Sequence, residues 1–171
     1  MREERGVLSA NCVTPKADTE VALRGLYFEE FEVGKTIITT GRTVTETDIV
    51  AFAGLSGDYN QIHTDEQFSQ RTPYARRIAH GLLGLSIASG LAVQTGFMEG
   101  TVLFFREIEE WKFVKPIFIG DTIHVEMEIL ETKAMQRMGG GLVVIGMDVI
   151  NQNDETTMKG KWKVLVASQA S

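Results

Sequence analysis

Asp58, Asn60 and His63 stand within one short stretch, Asp58-Tyr59-Asn60-Gln61-Ile62-His63, and His80-Gly81 opens a second stretch further along. A carboxylate and an imidazole are well suited to take and return a proton near neutral pH. Acid/base groups beside a helix N-terminus are what a reaction through an enolate-like oxyanion requires. The two stretches must then be held against each other.

The elements that do so are legible in the residue pattern. Gly25-Leu26-Tyr27-Phe28 and a turn at Gly34-Lys35 lead into a β-rich run from Thr36 to Val44. Thr45 is placed to cap a short helix, with Glu46 and Asp48 in the first turn where carboxylates favour the positive dipole end. Ile49, Val50, Phe52 and Ala53 give that helix its apolar side, and Gly54 and Gly57 close it. Asp58 to His63 follows as a loop in which Tyr59 packs; Thr64-Asp65-Glu66-Gln67 fits a capping box opening another short helix through Phe68. Arg71 to Arg77, with Pro73 inside, reads as a polar connection.

Ile78 to Met98 carries no Asp, Glu, Lys or Arg. It has the length of a membrane span, but Gly81, Gly84, Gly90, Gly96, His80, Ser86, Ser89, Gln94 and Thr95 favour a helix buried all round inside a soluble fold. Small residues at 81, 84, 88 and 92 recur at helical spacing, so one face admits another backbone. After Gly100 the period changes to two. Val102 to Phe113 reads as one strand. Ile123, Val125, Met127 and Ile129 alternate with His124, Glu126 and Glu128 in a second, and His124 is a solvated histidine on its polar face. Gly139-Gly140-Gly141 turns the chain into Leu142 to Ile150, and Asn151 to Asp154 turns it again into a last strand, where Met158, Trp162 and Val164 oppose Lys159, Lys161 and Lys163. The class is α+β, with an antiparallel sheet whose oily face has an oily helix to wrap.

A chain of 171 residues is one domain by default, and its 43% hydrophobic and 23% charged residues are an ordinary globular composition. Its net charge of −6 argues against nucleic-acid binding. Cys12 is the only cysteine, so neither an internal disulfide nor a CxxC metal site can form. Residues 1–25 lack both periodicity and an apolar leader-type run; they read as a loosely ordered extension before a domain at 26–171, and cytoplasm is the simplest compartment. No short metal-ligand spacing, nucleotide-binding glycine pattern or GxSxG elbow is present, so neither a metal nor a cofactor is expected.

The run Phe52-Ala53-Gly54-Leu55-Ser56-Gly57-Asp58-Tyr59-Asn60-Gln61-Ile62-His63 closely resembles the hydratase signature of the MaoC-like, R-specific enoyl-CoA hydratases. Ile78-Ala79-His80-Gly81 resembles that family's second landmark, and Pro116 with Gly120-Asp121-Thr122 its strand-to-strand turn. The resemblance covers about residues 26 to 167. It departs at Gln61, where the family usually has proline, which costs rigidity rather than a reacting group.

The resemblance implies a hot-dog fold, in which the sheet wraps the long helix, and (R)-specific hydration of a trans-2-enoyl-CoA in fatty acid metabolism, or the reverse dehydration. Asp58 and His63 are then the catalytic pair that holds the water, with their division of labour open. Asn60 fixes the loop and His80 the turn before the helix. Gly81 offers its N–H to the thioester oxygen, and the family's active-site serine falls at Ser89, with Ser86 as competitor. Each has a plainer reading: Asp58 as a turn cap, His63 as a structural histidine, Gly81 as helix–sheet packing and Ser89 as a hydroxyl bonded to its own helix. Arg71, Arg76 and Arg77 are candidates to meet CoA phosphates. A homodimer is the minimum assembly, because a single hot-dog sheet leaves an edge exposed. The rivals are a hot-dog thioesterase and a non-catalytic acyl-thioester-binding subunit.

Overall fold

The computed structural model of the chain describes residues 24–169. Most of the expected extension, residues 1–23, lies outside them. Two short strands, β1 (Thr36–Ile38) and β2 (Arg42–Thr43), precede helix α1 (Glu46–Ser56). Two single-turn helices follow, α2 (Gln61–Thr64) and α3 (Glu66–Ser69), and then the long helix α4 (Gly81–Gln94). Four strands complete the chain: β3 (Val102–Phe113), β4 (Thr122–Met135), β5 (Gly140–Asn151) and β6 (Thr156–Ala167). They form one antiparallel sheet in the order β1-β4-β5-β6-β3, with β2 also on β4. The sheet curls over α4, which is the hot-dog arrangement.

Strand alternation builds the core. Ile123, Val125, Met127 and Ile129 of β4, Val143, Ile145, Met147 and Val149 of β5, and Met158, Trp162 and Val164 of β6 all point inward and are buried. They meet Leu83, Ile87, Ala88, Leu91 and Ala92 of α4. Each large apolar side chain taken from water contributes roughly 1.5–3 kcal/mol. His124 stays half-buried on the outer face, 3.8 Å from Glu126.

Several local readings need correction. The run Thr36 to Val44 is broken in two, because the Thr39 hydroxyl accepts the Val125 N–H at 2.9 Å where a strand carbonyl would otherwise do so. Helix α4 is not buried all round. Leu83, Gly84, Ile87 and Ala88 face the sheet, whereas Leu82 and Val93 are 61% and 51% exposed, because a single sheet covers one side of a cylinder. Only Gly139 of the triple glycine makes the turn, at φ +69°. A Cβ on Gly140 would lie 1.9 Å from the Val166 carbonyl oxygen, and one on Gly141 2.2 Å from the Phe28 ring, so these two glycines admit close neighbours inside β5. Tyr59 does not pack inward; it is exposed. Among the described residues no helix is long and apolar enough to cross a membrane.

Candidate active site

Thr45 caps α1 as its sequence suggests: its Oγ1 accepts the Asp48 N–H, and Asp48 Oδ2 accepts the Thr45 N–H in return. Gly57, at φ +75°, ends the helix in the left-handed region and reverses the chain. Short bonds then dictate the next turn. Asp58 Oδ1 accepts the Asn60 N–H, and Asn60 Oδ1 accepts the Ile62 N–H, each at 3.2 Å. Asn60 is thus the N-cap of α2, so His63 stands on a helical turn where the sequence suggested a loop. The cap of the following helix is Asp65, not Thr64: its side chain accepts the Phe68 N–H at 2.9 Å. Ser69, fully buried, donates to the carbonyls of Ile62 (3.1 Å) and Gln61 (3.3 Å) and buttresses α2 from beneath.

The two motifs are joined by reciprocal imidazole bonds. His63 Nδ1 lies 2.8 Å from the Ile78 carbonyl oxygen, and His80 Nε2 lies 2.9 Å from that of Asp58. A carbonyl only accepts, so His63 carries its proton on Nδ1 and His80 carries its own on Nε2. The two rings stack with centroids 3.9 Å apart and planes 31° apart, and Phe52 lies 5.0 Å from the His80 ring. His80 is buried, and its Nδ1 has no partner among the described residues. A carboxylate oxygen of Asp58 and ring nitrogens of His63 and His80 fall within 4.8 Å of one another. That set is close enough to share an ion, although each ring already commits one nitrogen to a carbonyl.

His63 is left with a free Nε2 lone pair. Burial pushes its pKa below the usual imidazole value of 6.5, and the neighbouring His80 adds to the effect; the Ile78 carbonyl and Asp58 oppose it without reversing it. The ring is neutral at pH 7 and able to accept a proton. Asp58 is exposed beside it while also holding its turn, so the plainer role of turn cap is present.

His63, His80 and Gly81 line a cleft of about 390 Å³ together with Tyr74, Phe113 and Lys115, and its floor includes Ile117 and Met158. Gly81 is the first residue of α4, so its N–H has no intrahelical acceptor, and no hydrogen bond among the described residues uses it. The α4 dipole adds to this donor, and no acidic side chain occupies the first turn to compete for it. A slightly larger trough of about 460 Å³ lies on the outer face of the sheet, but the mixed charges lining it, such as Glu126, Glu128, Lys159 and Lys161, belong to a solvated surface.

The structure brings Asp58, Asn60, His63, His80 and Gly81 together. It does not bring Ser89 into this cleft, nor Ser86, whose Oγ donates to the Leu82 carbonyl one turn back. Eight residues at about 100° each turn Ser89 roughly 80° away from Gly81. Tyr74 and Phe113 went unnoticed in the sequence. Tyr74 sits inside a polar connection, held there by Ala75 at φ +56°, and Phe113 arrives from a distant strand with no local signal. Of the three arginines, Arg77 is paired with Glu46 and Glu66, Arg71 bonds the Gln67 carbonyl, and Arg76 stacks on Phe118.

Residues 30–151 match the model of the MaoC like domain family. The chain is 38% identical over 109 residues to the 3-hydroxybutyryl-CoA dehydratase of Methylorubrum extorquens, covering 64% of this chain and 67% of that protein. It is 32% identical over 113 residues to the (R)-specific enoyl-CoA hydratase of Aeromonas caviae, covering 60% of this chain and 82% of that one. Among solved structures, the monoamine oxidase regulatory protein from Archaeoglobus fulgidus superposes with a TM-score of 0.81 at 35% identity, over 86% of this chain and 97% of that one.

Proposed function

The chain belongs to the MaoC-like domain family, and from that premise we propose that it is an enzyme adding water to a trans-2-enoyl-CoA with (R) stereochemistry, or removing it from the 3-hydroxyacyl-CoA. The observation that carries this reading is the His63 ring: its Nδ1–H is tied to the Ile78 carbonyl, and its neutral Nε2 is free beside Asp58, in a cleft that Gly81 also lines. The (R) configuration is supported by the likeness to relatives that carry it in their names.

In the hydration direction, water sits between the Asp58 carboxylate and His63 Nε2. His63 takes one proton as the water oxygen bonds to Cβ of the enoyl group. The displaced π electrons move to the thioester oxygen, where the Gly81 N–H and the α4 dipole stabilise the charge. The His63 imidazolium then returns its proton to Cα, so one water supplies both the hydroxyl and the new C–H. Asp58 orients the water and stabilises the transient cation. His80 and Asn60 hold these groups in place. No metal or cofactor enters any step. Ser89 has no part in this scheme.

A second copy of the chain belongs at the β3 edge. Leu103, Phe104 and Phe113 on this long edge strand, which is paired with β6 on one side, are each at least half exposed, and Leu82 and Val93 of α4 are exposed as well. Pairing two such edges covers them and lays a partner over the open side of the cleft at Phe113. The cytoplasm remains the simplest compartment for such chemistry.

The test is the loss of enoyl-thioester absorbance with crotonyl-CoA, with free thiol assayed in the same cuvettes. Asp58→Asn and His63→Ala should each lower kcat/KM by at least ~10². Thiol release would point to a thioesterase instead. Silence with crotonyl and longer or branched enoyl chains would leave a non-catalytic acyl-thioester-binding subunit. Gln61, where the family usually has proline, gives that subunit little support: it is the first residue of α2, where the N–H needs no intrahelical partner.

A further inference from the structure

The hydratase reading names an enoyl thioester but not the length of its acyl chain. The lining of the catalytic cleft divides by exposure: Tyr74, Leu82 and Phe113 are open to solvent, whereas Ile117 and Met158 are buried. A thioester has two arms. The polar carrier arm stays in water at the open side, and the apolar acyl arm gains by leaving water for the buried side.

Met158 forms that buried side for a reason set by the sheet. It stands directly opposite Phe113 in the β3–β6 register, so the two side chains share the inner face, the ring at the rim and the thioether within. Gly84 of α4 completes the floor. A Cβ on Gly84 would lie 2.8 Å from Met158 Cε and 3.0 Å from Ile117 Cδ1, so both tips rest on the helix backbone itself. Gly81 and Gly84 are three residues apart in α4, about 4.5 Å along its axis and on neighbouring positions of one face. An extended chain covers about 1.2 Å per bond, so an acyl group whose thioester oxygen meets the Gly81 N–H reaches the Met158 tip after roughly four bonds.

We propose that Met158, seated with Ile117 on Gly84, sets the acyl-chain limit of this enzyme, admitting straight enoyl chains of about four to six carbons and excluding octenoyl and longer ones. This rests on the hydratase reading. An unbranched thioether fills such a floor without a polar atom that needs a partner, and shortening it lengthens the slot.

The experiment measures kcat/KM for trans-2-octenoyl-CoA relative to crotonyl-CoA in wild type, Met158→Ala and Ile117→Val; a ratio taken on one preparation cancels any loss of folded enzyme. The wild-type ratio should be about 0.1 or less, since even one methylene too many costs about tenfold or more. It should rise at least about tenfold in Met158→Ala, because each methylene given room adds about fourfold and removal of the thioether makes room for about two or more. Where Met158→Ala does not fold, Ile117→Val decides in its place: it deletes only the Cδ1 methyl that rests on Gly84 and should raise the ratio about fourfold. A wild-type ratio above about 0.3, or a variant ratio within about twofold of wild type, overturns the proposal. If wild type hydrates neither substrate, the hydratase reading fails, and calorimetric titration with butanoyl-CoA and octanoyl-CoA still decides the chain limit. Tighter binding of butanoyl-CoA supports it; equal or tighter binding of octanoyl-CoA, or no binding of either, overturns it.

Discussion

Substituting Gly81 by alanine separates the chemical role of this position from a packing role. A Cβ there would lie 2.7 Å from Cε1 and 2.9 Å from Cδ1 of Phe113, too close for either atom to stay in place. Phe113 is 56% exposed at the end of β3, so its ring can swing aside; a partly off-rotamer side chain costs roughly 0.5–1.5 kcal/mol. Alanine returns up to about 0.5–1 kcal/mol by restricting the unfolded chain, less at the first helical position than in a helix interior. The net change in stability should stay within about 1 kcal/mol, or about 4 °C in Tm for a chain of this size. Activity should respond very differently. The new methyl and the displaced ring both crowd the route of the thioester oxygen to the Gly81 N–H, and loss of one oxyanion donor costs about 10²–10³ in rate. Crotonyl-CoA hydration and thermal unfolding on the same preparation give both numbers. A variant retaining more than about a third of wild-type kcat/KM would refute approach of an oxyanion to this N–H. A fall in Tm beyond about 10 °C would show instead that the position is required for packing.

Three further outcomes follow from the same geometry. The pKa of His63 in the folded state lies below its ordinary value of 6.5, so the acid limb of kcat/KM against pH should lie below 6.5. The sign for stability is the same: the unfolded chain takes up this proton first as pH falls, so the contribution is complete above the unfolded value and is lost as pH drops through the folded one, and urea midpoints of wild type and His63→Gln should converge as pH is lowered from about 7.5 to about 5. Gln61→Pro should stabilise the protein by about 0.4–1 kcal/mol in urea unfolding without loss of activity, because Asn60 already has the extended ψ of 135° that precedes proline. Gly140→Ala should cost at least about 2 kcal/mol, seen as a lowered urea midpoint, because its Cβ would fall 1.9 Å from a strand carbonyl that cannot move alone.

Legibility was greatest where a residue acts on its own neighbourhood. The Thr45 cap, the Gly57 reversal and the alternation of Ile123 to Ile129 each arise from bonds or spacing within a few residues, and all appear as expected. Local readings failed where a neighbour in space intervened. The Thr39 hydroxyl breaks the first strand because Val125 lies across from it, and Gly140 is glycine because β6 lies behind it. Ser89 was carried to the site by the family resemblance, and helical rotation turns it away from Gly81. The exposed side of α4 was invisible too, since an apolar run does not say how much of its circumference one sheet can cover.

By itself, the sequence determined the candidate reacting groups and their local settings: a carboxylate and an imidazole within one short stretch, a glycine opening a charge-free helix, and the two periods that demand a sheet around that helix. Hydrophobic spacing and capping are short-range, so one strip of sequence contains them whole. Only the tertiary structure decided that His63 bonds the Ile78 carbonyl while His80 bonds that of Asp58, which sets both tautomers and leaves His63 Nε2 and His80 Nδ1 without partners among the described residues. It also decided that Tyr74, Phe113 and Lys115 line the cleft beside His63 and Gly81. These are contacts between segments far apart in the chain, and their geometry exists only once the hydrophobic core has fixed the distance between helix and sheet.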